Sequence, residues 1–261
     1  MSGESAVRVA LLLPDVLGTY SDRGNATVLA QRLRWRGQPA EVLVVPAETT
    51  PPTACDAFLL GGGEDAAQLY AADWLRRHNA LRVAMQLGQV LAVCAGLQIL
   101  GRWMQDHDRR RHPGAELVDV TTAPGPTRAV GEIVTLGTDP QVGVLTGFEN
   151  HRGHTTRGPG VRALGHVARG TGNGDGTDGV LTDTLIGTYL HGPVLARNPE
   201  LADLILRRVT GQPTLPPLRV AHQDAARAYH LTLAGHHSAA GDRGAGGSRT
   251  QRRGGPPPGP A

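Results

Sequence analysis

The chain has 261 residues and 27.4 kDa, enough for one large α/β domain or two small ones with a sizeable core. All 26 of its basic residues are arginine. The absence of lysine excludes a Walker A loop, a protein kinase and a pyridoxal-phosphate enzyme, each of which needs a lysine for its chemistry. The formal charge of +3 is local: residues 235–261 hold four arginines against one acid, leaving 22 basic and 22 acidic residues in 1–234. The folded part is therefore formally neutral, and the basic pI does not argue for a nucleic-acid partner. At 3% aromatic residues the chain also lacks the rings of a base-stacking platform.

Val7 to Leu13 is a short apolar run that suits a strand buried on both faces of a parallel sheet. Asn25 is placed to cap a helix running to Arg36, with Gly37 as the stop. Glu41 to Val45 reads as a second strand and Asp56 to Leu60 as a third, which runs into Gly61-Gly62-Gly63. Residues 64–87 read as helix in two pieces, Val90 to Val93 as a fourth strand and Ala95 to Gln105 as another helix. Glu116–Thr121, Gly131–Leu136, Val144–Glu149, Arg162–Ala168 and Leu185–Leu190 are further short strands between Gly, Pro and Asp turns. A helix from Pro199 to Val209, capped by Asn198 and stopped by Gly211, closes a domain over 1–211. Residues 212–234 read as a weakly helical extension, and 235–261, rich in Gly, Arg and Pro, as a disordered tail. The order predicts a flavodoxin-like or Rossmann-like three-layer sandwich with a mostly parallel sheet, whose ligands gather at the carboxyl ends of the strands.

The sharpest local feature is Val90-Leu-Ala-Val-Cys94-Ala95-Gly96-Leu97-Gln98. A small reactive side chain between an apolar strand and a helix has the layout of a nucleophile elbow. The helix start behind Cys94 favours a thiolate, and the Ala95 amide is placed to donate to a developing oxyanion. A second oxyanion donor is expected from Gly62 or Gly63, one strand away, where glycine allows close approach. Among 11 histidines, His191 stands at the carboxyl end of a predicted strand, where a base for Cys94 belongs. His151-x-x-His154 has the form of a metal pair, but no cysteines cluster with it and Arg152 lies between, so no metal is expected.

Taken together, Cys94-Ala-Gly-Leu-Gln98, Gly-Gly-Gly-Glu-Asp at 61–65 and Gly-Thr-Tyr-Leu-His191-Gly resemble the class I, triad-type glutamine amidotransferases, in their cobyric-acid-synthase-like branch. Tyr20-Ser-Asp22-Arg-Gly24-Asn25, Arg128-Ala-Val-Gly-Glu132, Thr146-Gly-Phe-Glu-Asn-His151 and Leu195-Ala-Arg-Asn198-Pro-Glu200-Leu narrow the resemblance to the stand-alone glutaminase subunits of lipid II isoglutaminyl synthases. The resemblance implies a glutaminase in which Cys94 attacks the side-chain amide of L-glutamine and His191 moves the proton, with Arg128 and Gln98 binding substrate. It also implies a heterodimer with a Mur-ligase-like subunit that carries ATP and Mg, since this chain shows no nucleotide site. That partner would amidate the D-glutamate α-carboxylate of the lipid II stem peptide. A cytoplasmic location follows, at the inner membrane face through the lipid-linked acceptor. Two other readings stay open: amidation of cobyrinate or another cofactor, and a thiol protein of the same superfamily that is not an amidotransferase.

The chain departs from the family pattern in three places. Ala92 stands where the class usually has glycine, and Ser21 where a glycine often follows the tyrosine. Pro193 stands where many relatives carry the acid that orients the histidine, so the third carboxylate is expected from a partner chain.

Overall fold

The computed structural model describes residues 5–18 and 22–241. Five parallel strands form the first sheet: β1 (Val7–Leu12), β2 (Ala40–Val45), β3 (Ala57–Leu60), β4 (Gln89–Val93) and, from much later in the chain, β12 (Leu185–Thr188). Their order is β2-β1-β3-β4-β12, with β11 (Val180–Leu181) added antiparallel at the β12 edge. This is the 2-1-3-4-5 order of flavodoxin-like folds, with its switch point between β1 and β3. β3 and β12 are buried at every residue, as expected for strands covered on both faces. The helices fall into two groups. α1 (Gly24–Arg34) packs on α5 (Val194–Arg197) and α6 (Pro199–Thr210), while α2 (Asp65–Arg77) packs on α3 (Asn79–Leu87) and α4 (Ala95–Leu100).

A second sheet was not anticipated. The region expected to hold separate short strands instead forms two long ones, β7 (Val120–Gly137) and β8 (Val144–Arg157), paired antiparallel almost throughout. β9 (Gly165–Arg169) and β5 (Trp103–Gln105) join opposite ends of β7, with β10 (Thr177–Asp178) and β6 (Arg111–Pro113) outside them. Pro124, Gly125 and Pro126 read as a break in the sequence, but the structure absorbs them as a bulge: pairing runs to Pro124–Gly153 and resumes at Ala129–His151. The helix expected over Ala95–Gln105 ends at Leu100, because Gly101 presses so closely on Val120 that a side chain there would collide, and Trp103–Gln105 joins the second sheet.

Neither expected asparagine caps a helix with its side chain, although Asn198 does stand at the N-terminal boundary of α6. Asn25 lies inside α1 and its Oδ1 accepts the Leu195 amide at 3.0 Å. Asn198 uses its amide as a peptide mimic, accepting from Thr146 N–H and donating to Thr146 O, both at 2.9 Å. The stop at Gly211 is observed, in the left-handed region at φ +67°. α7 (Ala221–Gly241) crosses the expected boundary at 234, so the order continues into the stretch expected to be disordered; residues 242–261 lie outside the described ones. Arg227 of α7 is buried and donates to Asn198 Oδ1 at 3.0 Å, anchoring the extension to the domain.

Candidate active site

Cys94 follows β4 with φ +52° and ψ −110°, a conformation costly for any residue with a side chain and one that points Sγ away from the sheet. Its amide donates to Thr188 O at 2.8 Å, which ties the elbow to the end of β12. Gly96 permits the sharp entry into α4, since a Cβ there would stand 2.8 Å from Leu60 O. Ala92, one of the departures, is fully buried within β4, and the elbow forms with its methyl group in place. Ser21 lies outside the described residues.

His191 stands just past β12, close enough to Cys94 for the thiol to act on its imidazole. Its Nδ1 lies 3.2 Å from Asp22 Oδ2, and both side chains are almost wholly buried. Burial pulls the His191 pKa down, but hydrogen bonds with Asp22 and Cys94 and the charges of both outweigh it, leaving the value raised to about 10. A carboxylate of this chain, from the loop after β1, thus engages His191, where the expectation was of an acid from a partner chain. Where relatives place that acid, Pro193 packs on Gly24 so tightly that a side chain at Gly24 would collide with its ring. The packing brings the Asp22 loop against the His191 loop.

The glycine triplet serves two purposes. Gly62 donates its amide to Asp22 Oδ2 at 2.8 Å, and a Cβ there would stand 2.7 Å from His191 Cε1. Gly62 is therefore a seat for the Asp22–His191 pair, and its expected role as an oxyanion donor is withdrawn. The amides of Gly63 and Ala95 donate to no described residue, and Gly63 and Cys94 line the same cavity of about 220 Å³. Arg128 and Gln98 line it too. Arg128 sits in the β7 bulge, which turns it over the cavity; its Nε donates to Asn150 Oδ1 at 2.7 Å and its Nη2 lies 3.9 Å from Glu64 Oε1. Gln98 is already committed: its Nε2 donates to Tyr189 Oη at 3.0 Å and its Oε1 accepts from Gln68, so it forms the wall.

Three further groups had no role assigned from the sequence. Asp22 is an isolated acid in a turn-like stretch, yet it stands past a strand end just as His191 does, and that placement was the available signal. Asp178 is fully buried, accepting Thr188 Oγ1–H at 2.6 Å and Tyr189 N–H at 3.0 Å, and burial pushes its carboxyl up to about 6. Glu149 and His151 form a second buried pair at 3.3 Å. His151 has both ring nitrogens engaged, by Glu149 and by Gly153 O, and therefore has none for a metal; among the described residues no three His, Cys, Asp or Glu side chains converge on a metal site.

All the strand-end groups stand at the carboxyl edge of the parallel sheet: Asp22 after β1, Gly63 after β3, Cys94 after β4 and His191 after β12. The CobB/CobQ-like glutamine amidotransferase domain matches residues 8–199. The chain belongs to this family. It is 35% identical over 209 residues to subunit GatD of lipid II isoglutaminyl synthase (glutamine-hydrolyzing) from Staphylococcus aureus strain N315, covering 78% of this chain and 84% of that protein. The Streptococcus pneumoniae R6 subunit of the same name is 30% identical, over 75% of this chain and 77% of that protein. A cobyric acid synthase from Synechococcus strain CC9605 is also 30% identical, but the match covers 42% of that longer protein. Among solved structures, the glutaminase domain of Trypanosoma brucei CTPS, with bound acivicin, shares the fold at TM-score 0.51 and 11% identity, over 84% of this chain and 99% of that one. The chain is thus a glutamine amidotransferase with a flavodoxin-like parallel sheet.

Proposed function

We propose that this amidotransferase is the glutaminase subunit of a lipid II isoglutaminyl synthase, with Cys94, His191 and Asp22 as its triad. The observation that carries the acceptor is coverage: the chain spans 84% of the Staphylococcus subunit and 42% of the cobyric acid synthase. Cys94 Sγ, as thiolate, attacks Cδ of glutamine, and the oxyanion forms between the amides of Gly63 and Ala95. His191 transfers its Nε2 proton to the amide nitrogen, the C–N bond breaks and ammonia leaves a γ-glutamyl thioester. His191 then takes a proton from water, which attacks the thioester, releasing glutamate and restoring the thiolate–imidazolium pair. Asp22 holds Nδ1–H throughout, keeping the imidazole turned toward the thiol. The Arg128 fork over the cavity suits the α-carboxylate of free glutamine.

Amide formation also requires an activated carboxylate, and a chain without lysine has no Walker A site to supply it. ATP and Mg therefore belong to a partner, which we take to be a Mur-ligase-like subunit acting on the D-glutamate α-carboxylate of the lipid II stem peptide. No described helix is long and apolar enough to cross a membrane. In this reading the chain works in the cytoplasm and meets the lipid-linked acceptor through that partner.

Reconstitution tests the reading directly. With the ligase subunit, lipid II and ATP, Cys94→Ala is expected to abolish glutamine-dependent amidation and leave ammonia-dependent amidation largely intact. Loss of both together points to a structural Cys94, and amidation of cobyrinate but not lipid II would reassign the acceptor.

A further inference from the structure

The Glu149–His151 pair of β8 has no part in the steps above, yet it stands beside the same cavity. Glu149 and His151 are 3% and 4% exposed. Glu149 accepts the Thr171 amide at 2.8 Å through Oε1 and the Gly172 amide at 3.0 Å through Oε2. Burial pushes its carboxyl up, but the hydrogen bonds from His151 and these amides more than offset that and leave it below the usual range. Opposite it, His151 Nε2 lies 3.3 Å from Glu149 Oε2, and Nδ1 lies 2.9 Å from Gly153 O. Glu149 and the Gly153 carbonyl thus hold the ring from both of its nitrogens. With both nitrogens engaged it has none with which to move substrate protons.

What His151 does hold is Tyr189. The two rings stack with centroids 3.9 Å apart and 24° between planes. Tyr189 is fully buried and is linked to both halves of the reacting pair. Its backbone precedes His191 by two residues. Its hydroxyl accepts from Gln98 Nε2 at 3.0 Å, and the Gln98 amide in turn donates to Cys94 O at 3.1 Å in the first turn of α4. Thr155 of β8 closes the network at 2.7 Å from the same hydroxyl.

We propose that Glu149 and His151 form a buried hydrogen-bonded pair that, through the stack on Tyr189, fixes the placement of Cys94 against His191. Both are positioning residues for the reaction, and their part in turnover rests on the glutaminase reading above. The Phe148-Glu149-Asn150-His151 stretch thereby gains a role: β8 braces the parallel sheet's reactive edge from the second sheet. The Phe148–His191 bridge, with His191 N–H donating to Phe148 O at 2.8 Å, makes the same connection through the backbone.

The test uses the full chain in complex with its ligase partner, as wild type and as Glu149→Gln, His151→Gln and Tyr189→Phe. Glutamine hydrolysis should show kcat lowered by about 10- to 100-fold in the first two, with KM within about twofold of wild type. Tyr189→Phe keeps the stacked ring and loses the hydroxyl bonds, so its kcat should fall by about threefold to tenfold, and it decides the matter if the other two do not fold. A second readout needs no glutamine: the rate of Cys94 alkylation by iodoacetamide at pH 7, located by peptide mass spectrometry, should fall in parallel with kcat. A brace that served stability alone would lower the melting temperature and leave both kcat and the alkylation rate in place. Unchanged kcat and alkylation in folded Glu149→Gln would overturn the proposal. Should the wild-type complex itself not hydrolyse glutamine, the glutaminase reading has failed, and the alkylation rates alone decide the brace.

Discussion

The parallel sheet carries its functional groups in the loops past the ends of its strands, whereas the antiparallel sheet carries them within β7 and β8. Asp22, Gly63, Cys94 and His191 stand where the ladder has ended, and the amides of Gly63 and Ala95 there donate to no described residue. Arg128, Glu149 and His151 are held on strands paired over most of their length, save for the bulge that frees Arg128. In the proposed mechanism the first region supplies the nucleophile, the base, the carboxylate that orients it and an oxyanion amide. The second supplies fixed charge and stiffness around them. Substitutions in the first region should therefore lower kcat directly, while those in the second should raise KM at Arg128 and lower kcat through misplaced groups at Glu149 and His151.

The largest effect belongs to the base. His191→Gln should reduce glutamine hydrolysis by about 10,000-fold, measured in the reconstituted complex with ammonia-dependent amidation as the control. The same variant reads the electrostatics. Because the folded-state pKa of His191 is raised from the ordinary 6.5 to about 10, its contribution to stability is fully present below about pH 6.5 and is lost as pH rises through about 10. The denaturant midpoints of wild type and His191→Gln should thus differ more at pH 6 than at pH 10, and a gap that widened with pH would contradict the assignment.

Gly62→Ala tests the seat of the pair. The added methyl would stand 2.7 Å from His191 Cε1, so the imidazole must shift and kcat should fall by on the order of 100-fold, with stability lowered by about 1–3 kcal/mol on chemical denaturation. If Gly62→Ala turned over glutamine normally, the close packing of this edge would not matter to chemistry. Arg128→Gln probes the other sheet and should raise KM for glutamine by about 10- to 100-fold while kcat changes little, the pattern of a lost charged contact to substrate. A fall in kcat at constant KM would move Arg128 from binding to positioning, alongside Glu149 and His151.

Much of the first region was legible in the sequence, and little of the second. Cys94 and His191 could be found because a strand end in a parallel sheet is both a local pattern and a place where ligands gather. Asp22 obeys the same rule, but it lies 169 residues from His191 and sits in a Ser-Asp-Arg-Gly-Asn stretch that reads as a turn, so nothing local ties it to the imidazole. Gly62 could be recognised as a place of close approach, but not which neighbour approached; the neighbour is His191, and its amide is taken by Asp22. The long strands β7 and β8 were hidden because Pro124, Gly125, Pro126 and Gly131 break the alternation that signals a strand, and a bulge leaves no periodic trace. The network through Tyr189 and His151 depends on the stacking of one sheet against the other, which only the tertiary structure brings about.

The central claim is that this chain holds a complete triad of its own, Cys94–His191–Asp22. Its most direct test is glutamine hydrolysis by Asp22→Asn in the reconstituted complex, where the asparagine keeps the shape and removes the charge from His191 Nδ1. The account predicts a loss of about 100- to 10,000-fold in kcat with ammonia-dependent amidation unchanged. Wild-type glutamine turnover in that variant would contradict it and return the third carboxylate to a partner chain.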